Sequence, residues 1–369
     1  MNAFFLDRLN SEPHALAFAG QSTPWPVALA DQSTNPVLDG ELHAHATAAQ
    51  ALLYPVAADL LATTGRPVDL FGFEANPARL GDAASAAASV PGIALTQLGA
   101  LIDAAELGYN PAKAKPIAVL GHSQGVLAVH MVQAIEQAGS IAAATAQIDE
   151  ILAIATLIGV AGTRQARQLG LAARHGEATP MLSVKDITRA QVDTLIARVS
   201  GVHGPIAVAV ANSATHYVLS GYPEDLAAFG VEVAKEHRRQ AKLREEKVRG
   251  GRVFDPVLEY LDVTLPFHSP LMAEAVSQTV SWAQSCGIDA DHARELAAEV
   301  LFNHVDWAAR VSTLMKSTDP GALWVLDFGP GATVGKLFST VAQGTGVGVV
   351  EAFTTADRGA LSTLETSPE

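Results

Sequence analysis

The chain has 369 residues, 49% hydrophobic and 17% charged, so it is apolar enough to bury a large core and is not a disordered chain. Its 24 basic and 38 acidic residues leave a net charge of −14, which argues against general nucleic-acid binding. The single cysteine, Cys286, excludes an internal disulfide and a cysteine-based metal cluster.

At roughly 150 residues per domain, the length predicts about two domains or subdomains. The first residues, MNAFFLDRLNSEPHALAF, lack a basic region leading into an apolar one. No window reaches the roughly 18 uninterrupted apolar residues of a membrane span. A cytoplasmic protein with no membrane partner is expected.

Residues 15–20 (ALAFAG) read as a short buried strand, and 41–64 as alanine-rich helix. Residues 91–109 read as a helix opened by Pro91. The apolar run 116–120 (PIAVL) predicts a strand; GHSQG follows, then the helical pattern VLAVHMVQAIEQA and a long helix over 147–169. Strand, glycine-flanked turn, helix is an α/β signature. Near Thr179 the texture changes: strand 180–185, helix 187–199, strands 205–211 and 216–220, a helix opened by Pro223 over 223–239, and a last strand over 257–265. That order, β-α-β-β-α-β, is a ferredoxin-like unit. A helix over 270–285, a strand over 323–328 and the turn Gly329-Pro330-Gly331 follow, with a loosely ordered tail after Thr355. The expected fold is α/β. A large subdomain of α/β-hydrolase-like type (1–178 and 266–369) carries a parallel sheet and a nucleophile elbow, and a ferredoxin-like small subdomain (179–265) is inserted into it.

Gly121-His122-Ser123-Gln124-Gly125 is a G-x-S-x-G between a predicted strand and helix. In such an elbow the serine sits in a strained backbone, and neighbouring side chains would clash. Its hydroxyl stands at a helix N-terminus, where N–H groups stabilise negative charge. Serine needs a base. Among 12 histidines, His268 in LPFHSPLM lies between a predicted strand and a helix, where it either faces the active edge of the sheet or packs in the core. His122, next to the serine, is expected to point away from it. No carboxylate is evident for a triad: Asp262 and Asp306 are candidates, and a backbone carbonyl is the alternative. The turn Gly20-Gln21 offers one N–H for an oxyanion hole and Gln124 the other.

With these motifs on view, the sequence resembles the acyl-CoA:acyl-carrier-protein transacylase family over almost its whole length. The resemblance rests on Gly20-Gln21, GHSQG at 121–125, Asn212 in VANSATHYVLSG, His268 and DFGPG at 327–331. GHSQGVLAVH, LIGVAGTRQAR, KVRGGRVFDPV and LPFHSPLM are similar to the acetyltransferase domain of type I fatty acid synthases, in particular the actinobacterial single-chain enzymes. The resemblance implies a ping-pong mechanism with no bound cofactor. Ser123 takes the acyl group from acyl-CoA with His268 as base. The oxyanion rests on Gln21 and Gln124. The phosphopantetheine thiol of an acyl carrier protein then receives the acyl group. His122, Asn212, Phe267 and Ile158 are its substrate-binding positions. A backbone carbonyl near Val300 orients the histidine. Three departures stand out: GQST replaces the usual GQGS or GQGA, the stretch from His268 to Asn303 is short, and a peripheral strand is missing there.

Malonyl-selective members carry an arginine in the helix after the nucleophile helix, paired with the malonyl carboxylate. Ile158 takes that place here. Arg164 is six residues further on, rotated by roughly 240° around the helix. A carboxylate against Ile158 would be buried and unpaired, so acetyl or another short neutral acyl group is expected, with acetyl-CoA as substrate. Residues 235–252 hold eight basic and three acidic residues, net +5. Polyanionic CoA, an acidic carrier protein, or a neighbouring domain of a multienzyme could dock there, or the stretch is a solvated helix. The competing readings are malonyl or longer-acyl transfer, a serine esterase or thioesterase of α/β-hydrolase type, and a non-catalytic structural domain. Loss of Ser123 or His268 would have favoured the last. The expected context is the N-terminal portion of a longer multienzyme.

Overall fold

The run HALAF at His14–Phe18 (β1) has little polar alternation, and all five residues are buried, as expected for a strand covered on both faces. The computed structural model describes residues 12–21, 23–65, 67, 85–171, 178–199, 203–245, 254–319 and 323–351. β1 pairs in parallel with Ala118–Gly121 (β2) on one side and with Trp324–Asp327 (β8) on the other. Gly348–Glu351 (β9) completes this parallel sheet, in the order β2-β1-β8-β9. Around it lie the helices Trp25–Gln32 (α1), Pro36–Leu52 (α2), Ala57–Thr64 (α3), Ala86–Glu106 (α4), Val126–Ala138 (α5) and Thr145–Gln168 (α6).

Two of the expected helices differ in where they break or begin. The stretch 41–64 is split between α2 and α3 by a tight turn at Tyr54–Val56, because Pro55 has no N–H to continue the ladder. α4 starts at Ala86, with Pro91 inside it rather than at its start. An interior proline costs about 3 kcal/mol; α4 is buried from Ala86 to Ala104 apart from Ala88, and that burial outweighs it. Averaged hydropathy makes Ala86–Glu106 and Ala142–Gln168 long and apolar enough to span a membrane, although no uninterrupted run suggests it. Of their apolar windows 94% and 67% are buried inside the protein, so both are core helices.

The second sheet is built from Met181–Lys185 (β3), Ala207–Ser213 (β4), His216–Ser220 (β5) and Val257–Tyr260 (β6). Two helices intervene, Arg189–Ile196 (α7) and Pro223–Glu245 (α8), and α7 opens on a capping box between Thr188 and Gln191. β3 pairs antiparallel with β5 and β6, and β4 antiparallel with β5. Strand alternation divides this sheet's residues between two cores. Leu182, Val184, Ala211, Tyr217 and Leu219 pack with Leu195, Phe229 and Val233 of α7 and α8. Met181, Val210 and Val218 join the core of the large sheet.

Beyond His268 the chain forms Ala273–Ser285 (α9) and Ala290–Leu301 (α10). A two-residue strand, Val305–Asp306 (β7), then adds to β4 in parallel, giving the order β6-β3-β5-β4-β7. Trp307–Ser317 (α11) and Thr333–Val341 (α12) follow. A strand does therefore follow the His268–Asn303 stretch, contributed to the second sheet from outside 179–265. The expected strand over 257–265 ends at Tyr260. The tail after Thr355 and the turn Arg249-Gly250-Gly251-Arg252 lie outside the described residues.

Candidate active site

β2 ends at Gly121, and Ser123 then takes φ = +54° in a tight turn before α5 begins at Val126. A non-glycine residue in this left-handed region costs of order 1–3 kcal/mol and persists only where its surroundings hold it. The flanking glycines do that. A Cβ on Gly121 would collide with the backbone of Val126, and one on Gly125 with the Phe18 carbonyl of β1. The turn is thus wedged between its own helix and the neighbouring strand. Arg310 of α11 adds a hydrogen bond from Nη1 to the Gly121 carbonyl at 3.0 Å.

His268 stands opposite, also in the left-handed region at φ = +55°, and its side chain is buried. Its Nε2 lies 2.6 Å from Ser123 Oγ. Its Nδ1 lies 2.8 Å from the carbonyl of Asn303. A carbonyl only accepts, so Nδ1 carries the proton and Nε2 accepts from the serine hydroxyl. The orienting group is therefore the backbone carbonyl of Asn303, three residues beyond Val300. α10 ends at Leu301, whose carbonyl accepts from Ser269 N at 3.2 Å, and the chain turns past His268 only after that. Neither Asp262 nor Asp306 holds Nδ1, and Asp306 caps α11 through Ala309 N at 2.8 Å. Burial pushes the His268 imidazole down to about 3; the Asn303 bond opposes this, and His122, His304 and Arg310 add to it. The ring is thus neutral at neutral pH, with a free lone pair toward Ser123.

His122 bonds to Asn212 and lies on the cavity lining with it. It points toward the second sheet, donating from Nε2 to Asn212 Oδ1 at 2.7 Å, with its ring edge-on to Trp307. Asn212 Nδ2 is 3.5 Å from His216 Nε2, which is 3.0 Å from Ser183 Oγ. Burial, with Lys185 and His122 nearby, holds His216 down at about 4. Ser123, Gln21, His122, Asn212 and Phe267 line one cavity of about 190 Å³ between the two sheets, walled by Met181, Val210 and Val218. Lys185 and Glu259, 3.3 Å apart, stand on the same wall. Gln21 Nε2 donates to Gln124 Oε1.

The side chain of Ile158 is fully buried in the main core and is not among the residues that line this cavity. α6 is packed against α4 on one side and α9 on another, and Gly159 touches Ala86 so closely that a Cβ there would strike its carbonyl. Arg164 does face elsewhere, donating to Gln278 Oε1 at 3.2 Å and lying over the Trp282 ring. The basic stretch is largely behind the second sheet, on the face away from the cavity, since α8 packs on the residues that alternate with the lining ones. There Arg239 and Arg198 hold the buried Glu236 carboxyl at about 2. Lys247, Arg249 and Arg252 lie outside the described residues. Sequence reasoning missed Asn303, Arg310, Trp307 and His216; the first acts through its backbone and carries no side-chain signal.

Residues 180–260 match the family model described as the fatty acid synthase central AT domain. Fatty acid synthase beta subunit TOXC of Cochliobolus carbonum is 28% identical over 305 residues, which covers 72% of this chain. The chain spans only 14% of that subunit's length. That relative is a fungal beta subunit, not one of the actinobacterial single-chain enzymes named from the sequence resemblance. The malonyl CoA-acyl carrier protein transacylase of Coxiella burnetii matches with a TM-score of 0.65 at 16% identity, over 96% of this chain and 97% of that one. In PlMCAT:AntF, a type II PKS acyl-carrier protein in complex with its malonyl-transacylase, the matching chain gives 0.63 at 17% identity, over 96% and 100%. The chain thus has the fold of the malonyl-CoA:acyl carrier protein transacylases, and its second sheet carries a match to the acyltransferase domain of fatty acid synthases.

Proposed function

We propose that this protein moves an acetyl group from acetyl-CoA to the phosphopantetheine thiol of an acyl carrier protein through an acyl-serine, priming fatty acid synthesis. The observation that carries the reading is the Ser123–His268 pair, 2.6 Å apart, with Ser123 on the cavity lining and the far nitrogen of the histidine held by a carbonyl. Ser123 Oγ attacks the thioester carbonyl while its proton passes to His268 Nε2. The oxyanion is received by the backbone N–H groups of Gln21 and Gln124. The C–S bond breaks, and the proton on His268 leaves with CoA as its thiol. In the second half the carrier thiol gives its proton to His268 and attacks the acyl-serine, and Ser123 recovers the proton. A carbonyl suits this cycle: it orients the imidazole without adding a negative charge beside a ring that must stay neutral between steps.

With Ile158 off the wall, support for a neutral acyl group comes from the wall itself. No arginine is among the described cavity-lining residues, and Lys185 is already paired with Glu259. A malonyl carboxylate would have to break that pair or stay unpaired, at a cost of several kcal/mol if buried. Malonyl transfer is the second reading, favoured by the fold's likeness to malonyl transacylases. The acyl carrier protein as partner, the setting within a fatty acid synthase and a cytoplasmic location belong to the same proposal. No bound cofactor enters the mechanism.

The test supplies holo acyl carrier protein with acetyl-CoA or malonyl-CoA and follows the carrier by mass. Acetyl-carrier formation is expected. Malonyl-carrier alone would establish the second reading, and CoA release with no acylated carrier would favour a hydrolase.

A further inference from the structure

Gln124 follows the proposed nucleophile, and its side chain is fully buried. Its Nε2 donates to the carbonyls of Val90 at 2.8 Å and Ser89 at 3.3 Å, and its Oε1 accepts from Gln21 Nε2. The carbonyls can only accept, so they fix which way the Gln124 amide is turned, and Gln21 must then present its own amide nitrogen. The elbow, helix α4 and the loop after β1 are joined through this one side chain.

A second buried amide grips the same loop. Gln97 of α4 donates from Nε2 to the carbonyls of Ala19 at 2.7 Å and Gly329 at 3.0 Å. Its Oε1 has no partner among the described residues. An unpaired buried oxygen is costly, so this amide is placed for the two carbonyls it holds. The loop so gripped runs hard against the elbow. A Cβ on Gly20 would lie 2.7 Å from the His122 carbonyl, 2.9 Å from Ser123 Cβ and 3.3 Å from Gln124 N.

We propose that Gln124 is a positioning residue. Its side-chain amide, clamped to α4 and to Gln21, sets the spacing of the two backbone N–H groups, of Gln21 and of Gln124 itself, that receive the oxyanion. The inference rests on the acyl-transfer reading for its substrate and on the hydrogen bonds above for its geometry. Two such donors must bracket the developing charge at close to hydrogen-bond distance, and small misplacements cost rate rather than binding.

The experiment compares wild type, Gln124→Met, Gln21→Met and the double variant, all of which keep both backbone N–H groups. Two rates are read: Ser123 acetylation by acetyl-CoA, by rapid quench and intact mass, and Ser123 phosphonylation by a fluorophosphonate. In the second, Ser123 Oγ displaces fluoride from phosphorus and the hydroxyl proton passes by way of His268 to solvent. Each single variant is expected to slow both reactions about 10- to 100-fold, with KM for acetyl-CoA changed less than about threefold. The double variant should be no slower than the slower single one. Gln21 is only half-buried, so Gln21→Met breaks the link from outside the core if Gln124→Met unfolds. Wild-type rates in Gln21→Met would overturn the inference, as would losses that simply multiply in the double variant. A wild type that is phosphonylated but acylated by no acyl-CoA would sink the transacylase reading alone; the phosphonylation rates of the variants would still decide the role of Gln124.

Discussion

His268 offers the sharpest pH prediction. An ordinary histidine with a pKa near 6.5 is about 97% protonated at pH 5, so a rate that needs its neutral form would fall about 30-fold between pH 8 and pH 5. Burial holds His268 near 3, which leaves it neutral throughout that range. The rate of Ser123 acylation by acetyl-CoA, taken from rapid quench and intact mass, should change less than about twofold from pH 8 to pH 5 once corrected for the folded fraction. Stability behaves differently. The folded pKa lies below the unfolded one, so the unfolded state binds the extra proton between them. Stability is then fully present above about pH 6.5 and is lost as pH falls toward 3. At pH 5 His268 alone accounts for a loss of about 2 kcal/mol, and His216, held down at about 4, acts in the same direction. Urea midpoints across the range give this loss. An acylation rate with a midpoint near 6.5 in still-folded protein would refute the reasoning, because the base would then be solvated rather than buried.

Three further outcomes follow from the backbone and its partners. Ser123→Gly relieves a left-handed serine and should raise stability by about 1 kcal/mol while removing acylation; a lowered thermal midpoint would mean the elbow is unstrained. Gly125→Ala puts a methyl into the Phe18 carbonyl and should cost about 1–3 kcal/mol with a loss of acylation, both read from urea melts and adduct formation. Asn212→Leu leaves the half-buried His122 donor without its acceptor, so a loss of about 1 kcal/mol is expected in the same melts.

The features legible in the sequence are those that steric necessity writes into residue types. Gly121 and Gly125 could be read because nothing larger fits beside β1 and α5. His268 could be read because a polar residue between a strand end and a helix is conspicuous in an apolar chain. Asn303 could not, since its carbonyl is common to every residue type. Ile158 takes its assignment from its place in the motif LIGVAGTRQAR, which does not show whether the side chain reaches a cavity or stays in the core, where it is fully buried. Pro91 misled for a related reason: the local cost of an interior proline is visible in sequence, while the burial of α4 that outweighs it is not. β7, two residues long, is too short for any periodicity to register, yet it follows directly on the loop that holds His268. The amide of Gln124 reads as an ordinary polar residue until the three backbone segments it joins are in place.

The central claim is an acyl-enzyme on Ser123. The direct measurement is intact mass of wild type and Ser123→Ala after brief mixing with acetyl-CoA, with peptide mapping of any adduct. An acetyl adduct on wild type, mapped to Ser123 and absent from Ser123→Ala, is the predicted result. An adduct that persists in Ser123→Ala, or a wild type that turns over acetyl-CoA without ever carrying the acetyl group, would contradict it.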